Sequence, residues 1–154
     1  MAENPDDWRA VSFHFIGDPR LREIVEDYYK EALMANDSGM HVAAVILCGS
    51  VLEGVLSYAL RMREEDAKAA FHAWKGRSRR PSEWSLEEKV EVARTMRLIG
   101  EGPAKGANAV RDFRHLIHPE RVLRRSKPRW PALAQLAIAA VVDVTSSLSG
   151  RMQS

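Results

Sequence analysis

Cysteine is almost missing from this 154-residue chain, where Cys48 stands alone. A single thiol excludes an intrachain disulfide framework and any CxxC metal site, and it points to a reducing, cytoplasmic setting. Long uncharged runs are also missing. The longest, Ser38 to Leu52, has fifteen residues, and the next, Trp130 to Val142, has thirteen. Both fall short of the roughly 18–20 residues that span a bilayer. The first residues include Glu3, Asp6 and Asp7 where a signal peptide has a basic segment followed by an apolar one. No membrane partner is expected. The chain carries no Gly-rich phosphate loop, nucleophile elbow or metal motif, so no cofactor is expected and a small-molecule enzyme has no support. No internal repeat appears.

Apolar residues make up 45% of the chain and charged residues 29%, enough of each for one globular domain with a real core. Residues 1–17 read as an N-terminal arm. Val11, Phe13 and Phe15 alternate with Ser12 and His14, a strand-like period too short to make a sheet alone. The arm is expected to lay these apolar side chains on a helical body. Residues 18–150 read as a single helical domain.

Asp18-Pro19 is a helix start, with Asp as N-cap and Pro in the first turn. Leu21, Ile24, Val25, Tyr28, Ala32 and Leu33 follow at helical spacing, and Asn36-Asp37-Ser38-Gly39 is a stop. A second helix is expected from about Met40 to Arg63. Its half from His41 to Leu56 is apolar on nearly every face, the mark of a central helix. Glu53 is the only charge there and must be paired or sit at a site. Arg61 to Trp74 reads as a charged continuation, and 75–84 as a basic loop.

Ser85 and Glu88 form a capping box for a third helix reaching about Ile99, ended by Gly100 and Gly102. Pro103 restarts a helix expected to end at His118, before Pro119. A last helix runs from about Pro131 to Ser149. The fold class is all-α: four or five helices in an up-down bundle.

The formal net charge of +2 conceals an asymmetry. Residues 1–102 hold 14 basic and 18 acidic side chains, whereas residues 103–154 hold 9 and 3. The total argues against an anionic partner, but the distribution favours one.

The densest polar cluster lies in that basic part: Arg111-Asp112-Phe113-Arg114-His115-Leu116-Ile117-His118-Pro119. Seven helical residues advance about 700°, so Arg111 and His118 would share a face, with Arg114 between them. Phe113, Leu116 and Ile117 would face the core. Arginine offers forked, permanently charged donors to phosphate oxygens, and histidine moves protons near neutral pH. Together they are the minimum kit for RNA cleavage by an adjacent ribose 2′-OH.

This segment resembles the signature of the HEPN superfamily of helical domains: Arg, four to six residues, then His, often with a polar residue after the Arg. Arg111, Asp112 and His118 fit it. Arg114 to His118 and Arg111 to His115 leave too few residues between. YYKEALMANDSGMHVAAVILCGSVLEGVLSYAL resembles the first two helices of the DUF4145-like group, WSLEEKVEVARTMRLIG its third, and RDFRHLIHPERVL its motif segment. The likeness covers about residues 20–125. His115 stands where Asn is expected, and no tyrosine follows His118.

The resemblance implies a metal-independent endoribonuclease of toxin or defence type, working as a homodimer with two motifs in one composite cleft. Arg111 would bind the scissile phosphate, His118 would move the proton, and Asp112 would orient one of them. Glu53 would anchor Arg111 or Arg114, and His115 would support the site. The basic distribution, apart from the resemblance, marks Arg114, Arg121, Arg124, Arg125 and Lys127 as the expected contacts to RNA phosphates. The alternative it implies is a non-catalytic binding or dimerisation module serving an antitoxin or effector protein.

Other residues carry plainer readings. His115, His118 and Asp112 lack a second ligand pair, so no metal site is expected. Cys48 reads as a small core residue. Trp74, Trp84 and Trp130 flank the basic loops and read as lids on the bundle ends, or as platforms for unpaired bases.

Overall fold

The computed structural model describes residues 6–152. The first five residues of the expected arm, Glu3 among them, lie outside the described residues. Seven α-helices and one 3-10 turn make up the regular structure, with no strand among the described residues. They are α1 (Pro19–Asp37), α2 (His41–Arg61), α3 (Glu64–Lys75), α4 (Leu86–Thr95), α5 (Glu101–His115), α6 (Pro119–Arg124) and α7 (Trp130–Met152). The all-α class is correct, and the count of four or five helices is too low. The expected continuation of α2 is a separate helix, α3, after a turn at Met62 and Arg63. Half of the supposed basic loop after Pro119 is the short helix α6.

α2 is the hub and packs against α1, α3, α4, α5 and α7. Its faces bury Val45, Cys48, Val51, Leu52, Val55 and Leu56 completely. Its first two turns are less covered than the all-round apolar pattern implied, because Val42 and Ile46 stay 36% and 38% exposed. α2 and α7 are each long and apolar enough, by length and composition, to cross a membrane. Glu53 and Asp143 interrupt the uncharged runs of the two helices, which is why neither run alone reaches that length. Both give much of their apolar surface to the core instead.

The arm behaves as its pattern suggests. Phe13, Phe15 and Ile16 are buried, and Val11 is half-buried against the core. The Tyr58 hydroxyl accepts a 2.8 Å hydrogen bond from the Gly17 N–H, and the Tyr29 hydroxyl donates to the Arg9 carbonyl. The arm's backbone is thus fastened to α1 and α2 by two buried phenols.

Helix ends follow local chemistry. The Asp18 carboxylate accepts from the Arg20 and Leu21 N–H groups, and Ser85 and Glu88 complete both halves of the capping box. α1 and α4 end on the same two-bond motif. Met40 N–H donates to the Ala35 carbonyl and Gly39 N–H to Asn36; Leu98 N–H donates to Ala93 and Arg97 N–H to Arg94. The left-handed residue is Gly39 in the first case and Arg97, at φ 60°, in the second. Gly100 and Gly102 therefore do not end α4. Gly100 is the N-cap of α5, and Gly102 and Pro103 fall in its first turn.

Candidate active site

α5 carries the basic motif, and its length decides which residues share a face. The helix ends at His115, one turn short of the expectation. Leu116 caps it, and His118 takes an extended conformation (φ −70°, ψ 121°) as the N-cap of α6. Proline disfavours the α region at the residue before it, and Pro119 starts a new helix with His118 extended ahead of it. Arg111 and His118 are thus not on one continuous helical face. Arg111, Arg114 and His115 share that face of α5, and His118 occupies the junction to α6. Leu116 and Ile117 are only half-buried, whereas Phe113 packs on the core.

Both arginines are held by carboxylates. Arg111 reaches Asp112 Oδ1 through Nη2 at 2.7 Å and Nε at 3.2 Å, and its Nη1 pairs with Glu87 on α4. The Asp112 hydrogen bond, with the charges of Asp112 and Glu87, outweighs partial burial and raises the guanidinium above its ordinary pKa. Asp112 is thus a direct partner of Arg111. Glu87 was not anticipated: it lies in the acidic first turn of α4, where it reads as a helix-dipole partner.

Arg114 donates through Nη1 to Glu53 Oε1 at 3.1 Å. Of the two partners expected for Glu53, the structure selects Arg114. Glu53 is not deeply buried; its side chain is 39% exposed. Gly49, one turn earlier on α2, makes the pair possible. A Cβ there would sit 2.6 Å from Arg114 Cδ. The absence of a side chain lets the guanidinium stem lie across α2.

The rest of the predicted site is open. His115, His118, Arg121, Arg124, Arg125, Lys127 and Arg129 are exposed, with no side-chain ion pair or hydrogen bond among the described residues. Leu123, on α6, is 86% exposed beside them. Among the described residues no group of three or more His, Cys, Asp and Glu is placed to hold a metal.

The tryptophans separate. Trp84 is core: it is 3% exposed and stacks on Phe71 at 4.6 Å and 9°. Neither a lid nor a base platform describes it. Trp130 is half-buried against the core, and Trp74 is exposed with Lys75 Nζ 4.2 Å from its ring centre. Cys48 is fully buried, and burial pushes its thiol up to about 12, which suits a core residue.

The chain matches no family model, no curated protein and no solved structure.

Proposed function

We propose that this chain is a metal-independent endoribonuclease of HEPN type, located in the cytoplasm and acting as a homodimer with one composite cleft. One observation carries the reading. Arg111 and Arg114 share a face of α5, the unpartnered His118 follows at the α5–α6 junction, and five uncompensated cations run from Arg121 to Arg129.

The donor inventory supports a division of roles. A guanidinium has five N–H donors. Arg111 spends three, on Asp112 and Glu87, and Arg114 spends one, on Glu53. Arg114 therefore keeps the larger share for a phosphate, and Arg111 contributes its remaining donors and its charge. The pairs are partly exposed, so an incoming phosphate competes with them at small cost. In the reaction, His118 takes the proton from a ribose 2′-OH as its oxygen attacks the adjacent phosphorus. Arg114 and Arg111 stabilise charge on the non-bridging oxygens. The P–O5′ bond breaks, and the partner subunit's His118, in its protonated form, supplies the proton to the leaving oxygen. The products are a 2′,3′-cyclic phosphate and a 5′-hydroxyl. Arg121, Arg124, Arg125 and Lys127 hold the flanking strand by phosphate contacts that carry no sequence preference.

A second reading has its own support. Arg111 ties α5 to α4 and Arg114 ties α5 to α2, so the motif also serves as a set of struts. A non-catalytic module that binds an antitoxin or effector protein would use it in that way. The test is cleavage of a mixed RNA pool in EDTA by wild type, Arg111→Ala and His118→Ala. The nuclease reading expects activity in wild type and its loss in His118→Ala with the fold intact. Equal activity in all three, or none in wild type, leaves the module.

A further inference from the structure

A basic concavity lies away from α5 and α6. It is a cavity of about 500 Å³ where the end of α2, the start of α3, the 3-10 turn and α4 meet. Arg61, Lys68, Arg80 and Lys89 are in its wall, with Glu64 as the only acidic member. Glu64 is already opposed by Lys68 at 3.8 Å. Arg61, Arg80 and Lys89 make no ion pair and no side-chain hydrogen bond among the described residues. Like charges gathered on one concave surface repel one another and focus a positive potential into it.

The loop that brings Arg80 here is fixed from within. Trp84 Nε1 donates to the Arg79 carbonyl at 3.1 Å while its ring is stacked on Phe71. The Arg79 guanidinium reaches the buried Glu88 at 3.5 Å. Arg80 is therefore presented by an anchored backbone, which lowers the entropy cost of a contact. A smaller cavity of about 360 Å³ adjoins the first and shares Lys68 and Arg80. The hydroxyl residues Ser57 and Ser82 line the larger one, and the half-buried Pro81 gives it an apolar side. Cations with hydroxyls suit phosphate oxygens, and an apolar wall suits a ring.

We propose that this concavity binds a phosphate-bearing ligand of nucleotide size, with the phosphate on Arg61, Arg80 and Lys89 and the ring against Pro81. The ligand is a free nucleotide or one nucleotide unit of an RNA strand. The site is independent of the ribonuclease reading, since none of its residues belongs to the α5–α6 motif.

The experiment is a ¹H–¹⁵N NMR titration of the full chain at low salt with AMP, adenosine or a single-stranded adenine tetranucleotide. AMP is expected to move the amides of Ser57, Arg61, Ser82 and Lys89, and adenosine is expected to leave them in place. Arg80→Gln combined with Lys89→Gln is expected to weaken AMP binding at least about tenfold. Arg121→Gln combined with Arg125→Gln is expected to leave AMP binding at these amides unchanged. Tetranucleotide binding tenfold tighter than AMP at the same amides identifies a strand subsite, and equal binding identifies a free nucleotide. The proposal is overturned if AMP moves none of these amides, or if the Arg80/Lys89 double variant binds AMP as wild type does.

Discussion

Arg114 lies across Gly49 on its way to Glu53. A Cβ at position 49 would stand 2.6 Å from Arg114 Cδ, and the guanidinium ends 3.1 Å from the Glu53 carboxylate. Helical glycine normally costs about 1 kcal/mol relative to alanine. Here that cost is offset by the passage it leaves. Gly49→Ala is therefore expected to destabilise the wild-type chain by about 1 kcal/mol, since the clash and the lost pair outweigh the gain in helix propensity. In an Arg114→Ala background the same change should stabilise by about 0.5–1 kcal/mol. Urea unfolding of the four proteins checks it, and one sign in both backgrounds contradicts the relationship.

Glu87 competes with any phosphate for Arg111. Glu87→Gln removes the negative charge opposite Nη1. The pair is largely solvent-exposed on the Glu87 side, so the stability loss should stay below about 1 kcal/mol. Affinity for single-stranded RNA should rise several-fold, because freed donors and one fewer negative charge both favour the phosphate. Fluorescence anisotropy at fixed salt measures it. Unchanged RNA affinity with reduced stability would assign Arg111 to a strut role alone.

Arg97 occupies a position that favours glycine. Its φ of 60° ends α4 with the hydrogen-bond pattern that Gly39 completes for α1. A left-handed backbone costs an L-residue roughly 1 kcal/mol. Arg97→Gly is expected to stabilise by about 0.5–1 kcal/mol, since the native conformation becomes strain-free, although glycine's larger unfolded entropy trims the gain. Thermal unfolding is the measurement, and a lower Tm would contradict the account.

Acid stability depends in part on Glu88. Burial pushes its carboxyl up, but hydrogen bonds from Ser85 and the charges of Arg79 and Lys75 outweigh that and hold it below its ordinary value of about 4.5. A carboxyl lowered in the folded state binds fewer protons there than in the unfolded chain, so it stabilises the fold above the ordinary value. That contribution is lost as pH falls from about 4.5 through the folded value. Glu88→Gln keeps a capping acceptor but removes the charge. It should lower stability at pH 7 and flatten the stability profile below pH 4.5. Denaturant melts across this range check it, and parallel profiles would contradict the role.

What the sequence made legible was local. Asp18 and the Ser85–Glu88 box announce their helices because capping acts within three residues. Phe13 and Phe15 announce the packed arm by alternation. The site was half legible. Arg111, Arg114 and Asp112 fall where helical geometry puts them, and Pro119 was rightly read as a stop. The helix stops at His115, three residues before the one that precedes the proline, where the α region is disfavoured. The Arg111–Glu87 pair bridges two helices with a turn between them, and no local spacing rule links those positions. Trp84 looked like a surface aromatic because basic residues precede it. Its partner Phe71 comes from another helix, and that contact decides its burial.

Attack by a ribose 2′-OH leaves its signature on the ends of the products. Wild-type protein is incubated in EDTA with a defined single-stranded RNA, and the fragments are analysed by mass spectrometry. His118→Ala and a substrate with 2′-deoxyribose at the mapped cleavage position run in parallel. The expected results are 2′,3′-cyclic phosphate and 5′-hydroxyl ends, no cleavage by His118→Ala, and no cleavage at the deoxy position. Fragments with 5′-phosphate ends, cleavage at the deoxy position, or intact RNA with folded wild-type protein would contradict it.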